Sequence, residues 1–337
     1  MINNWEAVTL PILLILIACL LWGVDPILRF PLVEAGTPVT TIVFWEHIIM
    51  VALLAPHLPQ AIRALRSNPQ LIYSFLLLGV LSSALATLTF TWAFTYLSPS
   101  LVILLQKLKT FTGLAMAAWL LGERPGATFY WWSGLAMLGG LMVSFPHLKA
   151  LVLEETQTYE AYKPLIGYGL VAVTIVGWGG GTVFARQILQ QGVREMPLIA
   201  GRYTVGLLCL LPLVSGNISA LAIDSEGFGR IIVMTIFSGY VAIILFYKGL
   251  ARTNASMTSI LEMFSTVFAV GFSWLILGHG LTVIQIAGGV VLCYSSYMIT
   301  RSKLRQQQAI TKSEAPVGKV PPFVASVHHN QGPRPPE

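Results

Sequence analysis

Six ionisable side chains lie inside apolar segments that are long enough to span a bilayer. They are Glu46, His47, Lys107, Lys109, Arg202 and Glu262. A charge at the centre of a bilayer is costly, so such groups mark a solute pathway, a proton relay or a structural ion pair. Lys107 and Glu262 each lie a little over two helical turns into segments of opposite direction, and they approach the bilayer centre from opposite faces. This pair predicts either a binding site for a charged solute or a charge pair that only holds two helices together.

Hydroxyl side chains follow the same segments at helical spacing. One stripe of the ninth segment comprises Thr258, Ser259, Glu262, Ser265 and Thr266. The third segment repeats hydroxyls every fourth residue at Ser83, Thr87 and Thr91, and the fourth carries Ser100, Lys107 and Thr110. A helix in lipid presents such stripes to a cavity or to a partner helix. We expect one central cavity, with helix packing as the alternative, and its predicted lining is Lys107, Glu262, Trp22, Trp178, Thr87, Thr110, Ser259, Thr266, Glu46, His47 and Arg202.

The members of this set differ in what else explains them. Arg202 lies early in its segment and can extend to the cytoplasmic interface instead. Trp22 and Trp178 are cavity walls or lipid-facing rings. Outside the set, Lys109 points about 200° away from Lys107 in a regular helix, which directs it to another helix or to the interface. Asp25 and Arg29, at the end of the first segment, are explained by a local pair four residues apart.

Other kinds of site find little support in the sequence. There is no H-E-x-x-H, no G-x-S-x-G and no pair of intramembrane aspartates, so we expect no enzyme. The three cysteines lie in apolar segments without metal-binding spacing, and the histidines are scattered, so we expect neither a metal nor a cofactor. A channel would need a ring of like groups along a pore, which two related halves supply poorly.

The composition places these segments in a membrane. Of 337 residues 55% are hydrophobic and 10% charged, against about 25% charged in a soluble domain. A span needs about 20 apolar residues, and the chain predicts an all-α integral membrane protein of ten transmembrane helices. These are Val8–Leu28, Val39–Pro56, Leu71–Thr95, Pro99–Leu121, Ala127–Pro146, Leu165–Arg186, Met196–Ser215, Phe228–Leu250, Ala255–Leu277 and Leu281–Thr300.

The second half of the chain repeats the first at an offset of 156 residues. Trp22-Gly23 returns as Trp178-Gly179, Phe90 as Phe246, and Thr110 as Thr266. Each copy holds five segments, and five is odd, so the second copy enters the bilayer from the opposite face. Inverted repeats of this kind are typical of secondary transporters, whose site lies between the halves near the midplane. The predicted domains are the repeats 8–146 and 165–300, an outer connection 147–164 and a disordered cytoplasmic tail 301–337.

Basic residues predict the orientation of the chain. With the N-terminus in the cytoplasm, ten Lys and Arg flank the spans on the inner side and four, Arg29 among them, on the outer side. We therefore expect a multi-pass protein of the plasma or inner membrane with both termini cytoplasmic. The net charge of +6 follows from this topology, so we expect no nucleic-acid partner.

Several short motifs resemble a known family when their order and spacing are taken together. They are Trp22-Gly23, Leu121-Gly122-Glu123-Arg124, Tyr247-Lys248-Gly249-Leu250 and Thr253-Asn254-Ala255-Ser256. With the five-plus-five duplication, residues 8–300 resemble the EamA-type permeases of the drug/metabolite transporter superfamily. The resemblance implies a central cavity, peripheral fifth and tenth helices, and export or exchange of small metabolites. The chain departs from the family in having Lys109-Thr110 and Ser265-Thr266 where a mid-helix proline is frequent.

The sequence thus predicts a secondary transporter that works by alternating access. With Lys109 counted, three cations, Lys107, Lys109 and Arg202, stand against Glu46 and Glu262. This net positive charge favours an anionic or zwitterionic solute, such as an amino acid or organic acid. Glu262 is a candidate for proton coupling, with exchange of solutes as the alternative. The expected partners are the small solute and the lipid bilayer, and the expected assembly is a monomer or homodimer. A membrane-embedded enzyme or a channel with the same polar cavity is the competing interpretation.

Overall fold

The computed structural model describes residues 4–121, 127–153, 159–216, 218–250 and 255–314. In these ranges the chain is helical apart from short turns, and its helices form ten long rods. They are α1 (Asn4–Glu34), α2 (Val39–Ser67), α3 (Leu71–Ala93), α4 (99–121), α5 (Ala127–Leu153), α6 (Tyr159–Gln190), α7 (Glu195–Ser215), α8 (225–250), α9 (Ala255–Leu277) and α10 (Val283–Glu314).

The rods have the character of membrane helices. In the described part of the chain, seven helices are long and apolar enough to cross a bilayer. Two further apolar helices are shorter, Phe264–Leu277 and Val283–Ile299. Each of the ten predicted segments coincides with one rod. The helices satisfy their own backbone polar groups, as lipid requires, and they leave many large apolar side chains, such as Leu275 and Val283, on the outer surface. The prediction of an all-α integral membrane fold is confirmed.

The first helix continues past the end that the sequence predicts. α1 runs unbroken to Glu34 and contains Pro26 and Pro31. Prolines are tolerated in membrane helices because neighbouring helices and local adjustments satisfy the freed backbone groups. Asp25 and Arg29 therefore lie within a helix among other helices, and they do not lie at an end that faces water.

The predicted connection and tail also contain helix. α5 continues through Pro146 to Leu153, and α6 begins at Tyr159. Both helices extend into the predicted connection 147–164, of which residues 154–158 lie outside the described part. α10 reaches Glu314, so the predicted tail boundary at residue 300 falls inside a helix. The rest of that tail, 315–337, lies outside the described residues.

The helices pack in interfaces that recur between the two halves. α1 packs against α8 and α9, and in the same way α6 packs against α3 and α4. α2 pairs with its equivalent α7, and α5 with its equivalent α10. The π-helical segments Leu78–Leu85 of α3 and Thr235–Val241 of α8 fall at equivalent positions. The turn glycines Gly36 and Gly192, which are 156 residues apart, have φ values of 81° and 80°.

Two equivalent glycines explain why the long interfaces are so close. A Cβ on Gly23 of α1 would lie 2.6 Å from the Cβ of Phe268 in α9. A Cβ on Gly179 of α6 would lie 2.8 Å from the backbone nitrogen of Gly113 in α4. Real Cβ atoms do not approach other atoms this closely, so only glycine permits these backbone contacts. The repeated sequence therefore produces the same contact twice.

Candidate functional site

A cavity of about 450 Å³ lies between the two repeats. Side chains from eight helices, α1 to α4 and α6 to α9, line it. Among the described residues, α5 and α10 contribute none, which fits the peripheral place that the family resemblance implies. The volume lies within the range of about 300–1,000 Å³ that is typical of small-molecule sites.

Most of the side chains selected from the sequence lie on this cavity. The selected residues found in its wall are Trp22, Glu46, Thr87, Lys107, Trp178, Arg202 and Thr266. Thr110 is half-buried outside the wall, and His47 is buried behind it. Ser259 and Glu262 belong to α9, but their side chains lie outside the described part of the structure. The pairing of Lys107 with Glu262 therefore stays a prediction.

The wall contributed by α4 includes both of its lysines. Lys107 belongs to a 3₁₀ turn, Gln106–Leu108, that interrupts the helix. Around the axis of an α-helix, side chains two residues apart point about 160° away from each other. In a 3₁₀ turn this angle falls to about 120°. Lys109 consequently also reaches the cavity, with its Nζ 5.6 Å from the ring centre of Trp178. Lys109 thus faces another helix, α6, which is one of the two alternatives from the sequence, and it lines the cavity as well.

The main charge network of the first repeat was not anticipated. Arg29 donates to both carboxylate oxygens of Asp25 from Nε and Nη2 at 2.8 Å. Its Nη1 donates to Glu46 Oε2 at 2.8 Å and to Thr91 Oγ1 at 3.1 Å. Arg29 is only 3% exposed. The guanidinium therefore joins α1, α2 and α3, which is more than the local pair that the sequence suggested.

One feature of the sequence indicates a partner for Glu46. Arg29 was counted as a flanking charge on the outer side, because the first span was predicted to end at Leu28. An intramembrane Glu46 nevertheless needs a cationic partner, and Arg29 lies at the matching outer depth of the neighbouring span. That need was the signal that pointed to Arg29.

His47 has a structural environment. Its Nδ1 lies 2.8 Å from the carbonyl oxygen of Val43, and its Nε2 lies 3.0 Å from Ser83 Oγ. Because a carbonyl only accepts, Nδ1 carries the proton, and in the neutral ring Nε2 accepts from the hydroxyl. The ring also packs 5.1 Å from that of Tyr203, its equivalent in the second repeat. His47 thus holds α2 against α3 and α7 and does not line the cavity.

Two equivalent aromatic pairs stand at the cavity. Trp22 packs on Phe246 with ring centres 5.0 Å apart and a tilt of 48°. Trp178 packs on Phe90 at 5.0 Å with a tilt of 50°. Both tryptophans and Phe90 line the cavity. They add aromatic surface to a wall that also holds charged, hydroxyl and aliphatic side chains.

Arg202 is the fourth cationic residue of the described wall, with Arg29, Lys107 and Lys109. Its Nη2 lies 3.5 Å from the carbonyl oxygen of Ser82, and its guanidinium stands 5.3 Å from the ring centre of Tyr203. Asp25 and Glu46 are the only carboxylates in this described wall. The described lining is thus cationic overall. Such an arrangement can bind an anion.

Comparison with known proteins identifies the class. The model of the EamA-like transporter family matches residues 9–145 and again 165–301. The chain therefore belongs to the EamA-like transporter family and is a multi-pass membrane transporter. This confirms the family resemblance and, with the transporter names of the relatives, the expectation that the chain is no enzyme.

Individual relatives are also transporters. The chain is 26% identical to the riboflavin transporter ImpX of Fusobacterium nucleatum, over 86% of this chain and 97% of that protein. It is 23% identical to the pseudopaline exporter CntI of Pseudomonas aeruginosa, over 80% of this chain and 89% of that one. A solved protein crystal structure superposes with a TM-score of 0.55 and 16% identity, covering 88% of this chain and 98% of the other. At that identity the likeness supports the fold alone.

Proposed function

We propose that this protein is a secondary transporter that exports or exchanges a small anionic or zwitterionic metabolite by alternating access. The observation that carries the proposal is the cavity between the repeats, whose described wall holds four cationic side chains and two carboxylates. A buried cation without a compensating charge is costly, and an anionic solute would supply that compensation. The aromatic pairs would contact the apolar part of the same solute.

The two named relatives are consistent with a solute of metabolite size, because one is a riboflavin transporter and the other a pseudopaline exporter. We place the protein in the plasma or inner membrane with both termini in the cytoplasm. Arg29 is buried and paired, so it no longer counts as an outer flanking charge. Its removal from that count strengthens the bias of basic residues toward the inner side.

Within this function, Lys107 would contact the anionic group of the solute, and Glu262 would balance Lys107 or carry a coupling proton. Among the described side chains, Lys107 has no carboxylate within ion-pair distance. The same cavity would then serve both openings of the transporter, because rocking one repeat against the other exposes it to either face in turn.

Flux into proteoliposomes tests the proposal. Three matched pairs serve as probes, namely L-glutamate with L-glutamine, succinate with succinamide, and riboflavin 5′-phosphate with riboflavin. We expect saturable flux of at least one anionic member, accelerated by unlabelled solute on the opposite side. Flux that rises linearly with concentration would indicate a channel, and chemical conversion of a probe would indicate an enzyme. Absence of any saturable flux across the panel would refute the proposed class of solute.

A further inference from the structure

The described part of the second repeat holds no counterpart of the charge network in the first. At the offset of 156 residues, Glu46 corresponds to Arg202. The two other members of the network, Asp25 and Arg29, correspond to Gly181 and Ala185. The charge at the α2/α7 position is thus reversed, and the side chains that would neutralise it are absent from α6.

Arg202 consequently lacks the kind of partner that Glu46 has. Among the described side chains no carboxylate lies within 4.0 Å of its guanidinium. Within the described part of the chain, the only polar contact of its terminal nitrogens is the long one to the Ser82 carbonyl, at 3.5 Å. Its Nε is buried and has no hydrogen-bond partner in the residues that the structure describes. A guanidinium offers five donors in a planar fork, so most of the binding capacity of Arg202 is unused.

The space that a partner would occupy is part of the cavity. Gly181, Ala185 and Arg202 all line it. In the first repeat the corresponding volume is filled by Asp25 and by the long side chain of Arg29, which spans from α1 to Glu46. In the second repeat Ser82 of α3 occupies the place where a side chain of residue 181 would begin. Ala185, which replaces Arg29, presents only a methyl group to the cavity that Arg202 also lines.

The other cations of the wall are less suited to an anion. Arg29 is saturated by two carboxylates and a hydroxyl. Lys109 stands over the ring of Trp178. Lys107 can share the anionic group, as the proposed function has it, but its compact ammonium makes no forked contact. Arg202 combines an unused planar fork with an open neighbouring volume.

We infer that the oxyanion group of the transported solute, a carboxylate or a phosphate, binds Arg202 in the part of the cavity beside Ala185. The solute supplies to the second repeat the negative group that the protein itself supplies to the first. This inference rests on the proposed function and names the residue that selects the charge of the solute. A forked, charge-assisted contact of this kind distinguishes an anion from a neutral molecule of the same size.

The test fills the open volume with an internal anion. The variant Ala185→Glu places a glutamate opposite Arg202. In the first repeat the equivalent positions hold Arg29 and Glu46, so both pairs consist of one glutamate and one arginine, with the two residues exchanged. Ala185→Gln has the same shape without the charge, so comparing these two variants isolates the carboxylate. Arg202→Gln removes the fork, and Arg202→Lys keeps the charge but loses the planar geometry.

Binding of the anionic probes L-glutamate, succinate and riboflavin 5′-phosphate is measured by titration of the full-length protein in lipid nanodiscs. For an anion that binds the wild type, we expect Arg202→Gln to bind it about tenfold or more weakly than the wild type does. We expect Ala185→Glu to bind it about tenfold or more weakly than Ala185→Gln does. Arg202→Lys should fall between Arg202→Gln and the wild type. Wild-type affinity in Arg202→Gln and Ala185→Glu would overturn the inference, and so would failure of every anionic probe to bind the wild type.

Thermal stability shows whether the engineered charges meet. Ala185→Glu should be more stable than Ala185→Gln when Arg202 is present. When Arg202→Gln is added to both variants, the one with Ala185→Glu should become the less stable of the two. An identical difference in both backgrounds would mean that the two positions do not interact, which contradicts the geometry.

The outcomes separate this inference from the proposed function. Saturable flux of neutral probes with no effect of Arg202→Gln would preserve the transporter and refute the role of Arg202. Anion binding that depends on Arg202 without any flux would preserve the site and refute transport.

Discussion

Arg29 connects three helices of the first repeat through a single buried guanidinium. Removing Arg29 takes away the cation with which both Asp25 and Glu46 form ion pairs. We expect Arg29→Ala to lower the free energy of unfolding by about 3–5 kcal/mol, because a broken buried pair leaves uncompensated charge. The loss should appear as a lower midpoint in thermal denaturation of the purified protein.

The chain offers a matched control in α8. Arg230 pairs with Glu226 at 2.8 Å in the same four-residue spacing, but its side chain is 37% exposed and that of Glu226 is 72% exposed. An exposed pair of this kind contributes about 0–1 kcal/mol, so Arg230→Ala should shift the midpoint little. Equal shifts for Arg29→Ala and Arg230→Ala would mean that the Arg29 network is not a buried, stabilising one.

At the scale of elements, the contact between α4 and α6 depends on a glycine. A Cβ at position 179 would meet the backbone of Gly113 at 2.8 Å and the carbonyl oxygen of Lys109 at 2.8 Å. Backbone atoms cannot turn aside as side chains do. Gly179→Ala should therefore separate the two helices and destabilise the protein by about 1–3 kcal/mol. It should also reduce flux, because Lys109 and Trp178 move apart.

Gly169 of the same helix provides the comparison, since a Cβ there would meet nothing within 4 Å. Gly169→Ala should leave the denaturation midpoint and the flux near those of the wild type. If Gly169→Ala were as harmful as Gly179→Ala, loss of backbone freedom in α6 would be the cause, and the close contact would not.

At the scale of the whole molecule, the inverted repeat predicts opposite exposure of equivalent turns. Ala35 and Gln191 are exposed and 156 residues apart, next to the equivalent turn glycines Gly36 and Gly192. In intact cells a membrane-impermeant maleimide should label Ala35→Cys, and it should label Gln191→Cys only after the membrane is opened. The variants are made in a chain whose native cysteines Cys19, Cys209 and Cys293 are replaced by alanine. Labelling of both positions from the same face would rule out inversion.

Much of the architecture could be predicted from the sequence because lipid imposes simple rules. Apolar segments of membrane length must form helices there, since no water satisfies their backbone groups. The offset of 156 residues required equivalent contacts in both halves, and the pairs Trp22–Phe246 and Trp178–Phe90 fulfil it. Helical spacing also selected Thr87, Lys107 and Thr266 for the cavity wall.

What the sequence alone determined, then, is the membrane class and the duplication, because each follows from composition and spacing along the chain. The tertiary structure decided which charges pair and which face the cavity. Arg29 bonds to Glu46, 17 residues away on another helix, and the 3₁₀ turn of α4 rotates Lys109 toward Trp178. Charge partners on different helices are set by crossing geometry and side-chain length. No local pattern encodes that geometry. The exchange of Glu46 for Arg202 between the repeats therefore indicates a binding site only when the packing of the helices is known.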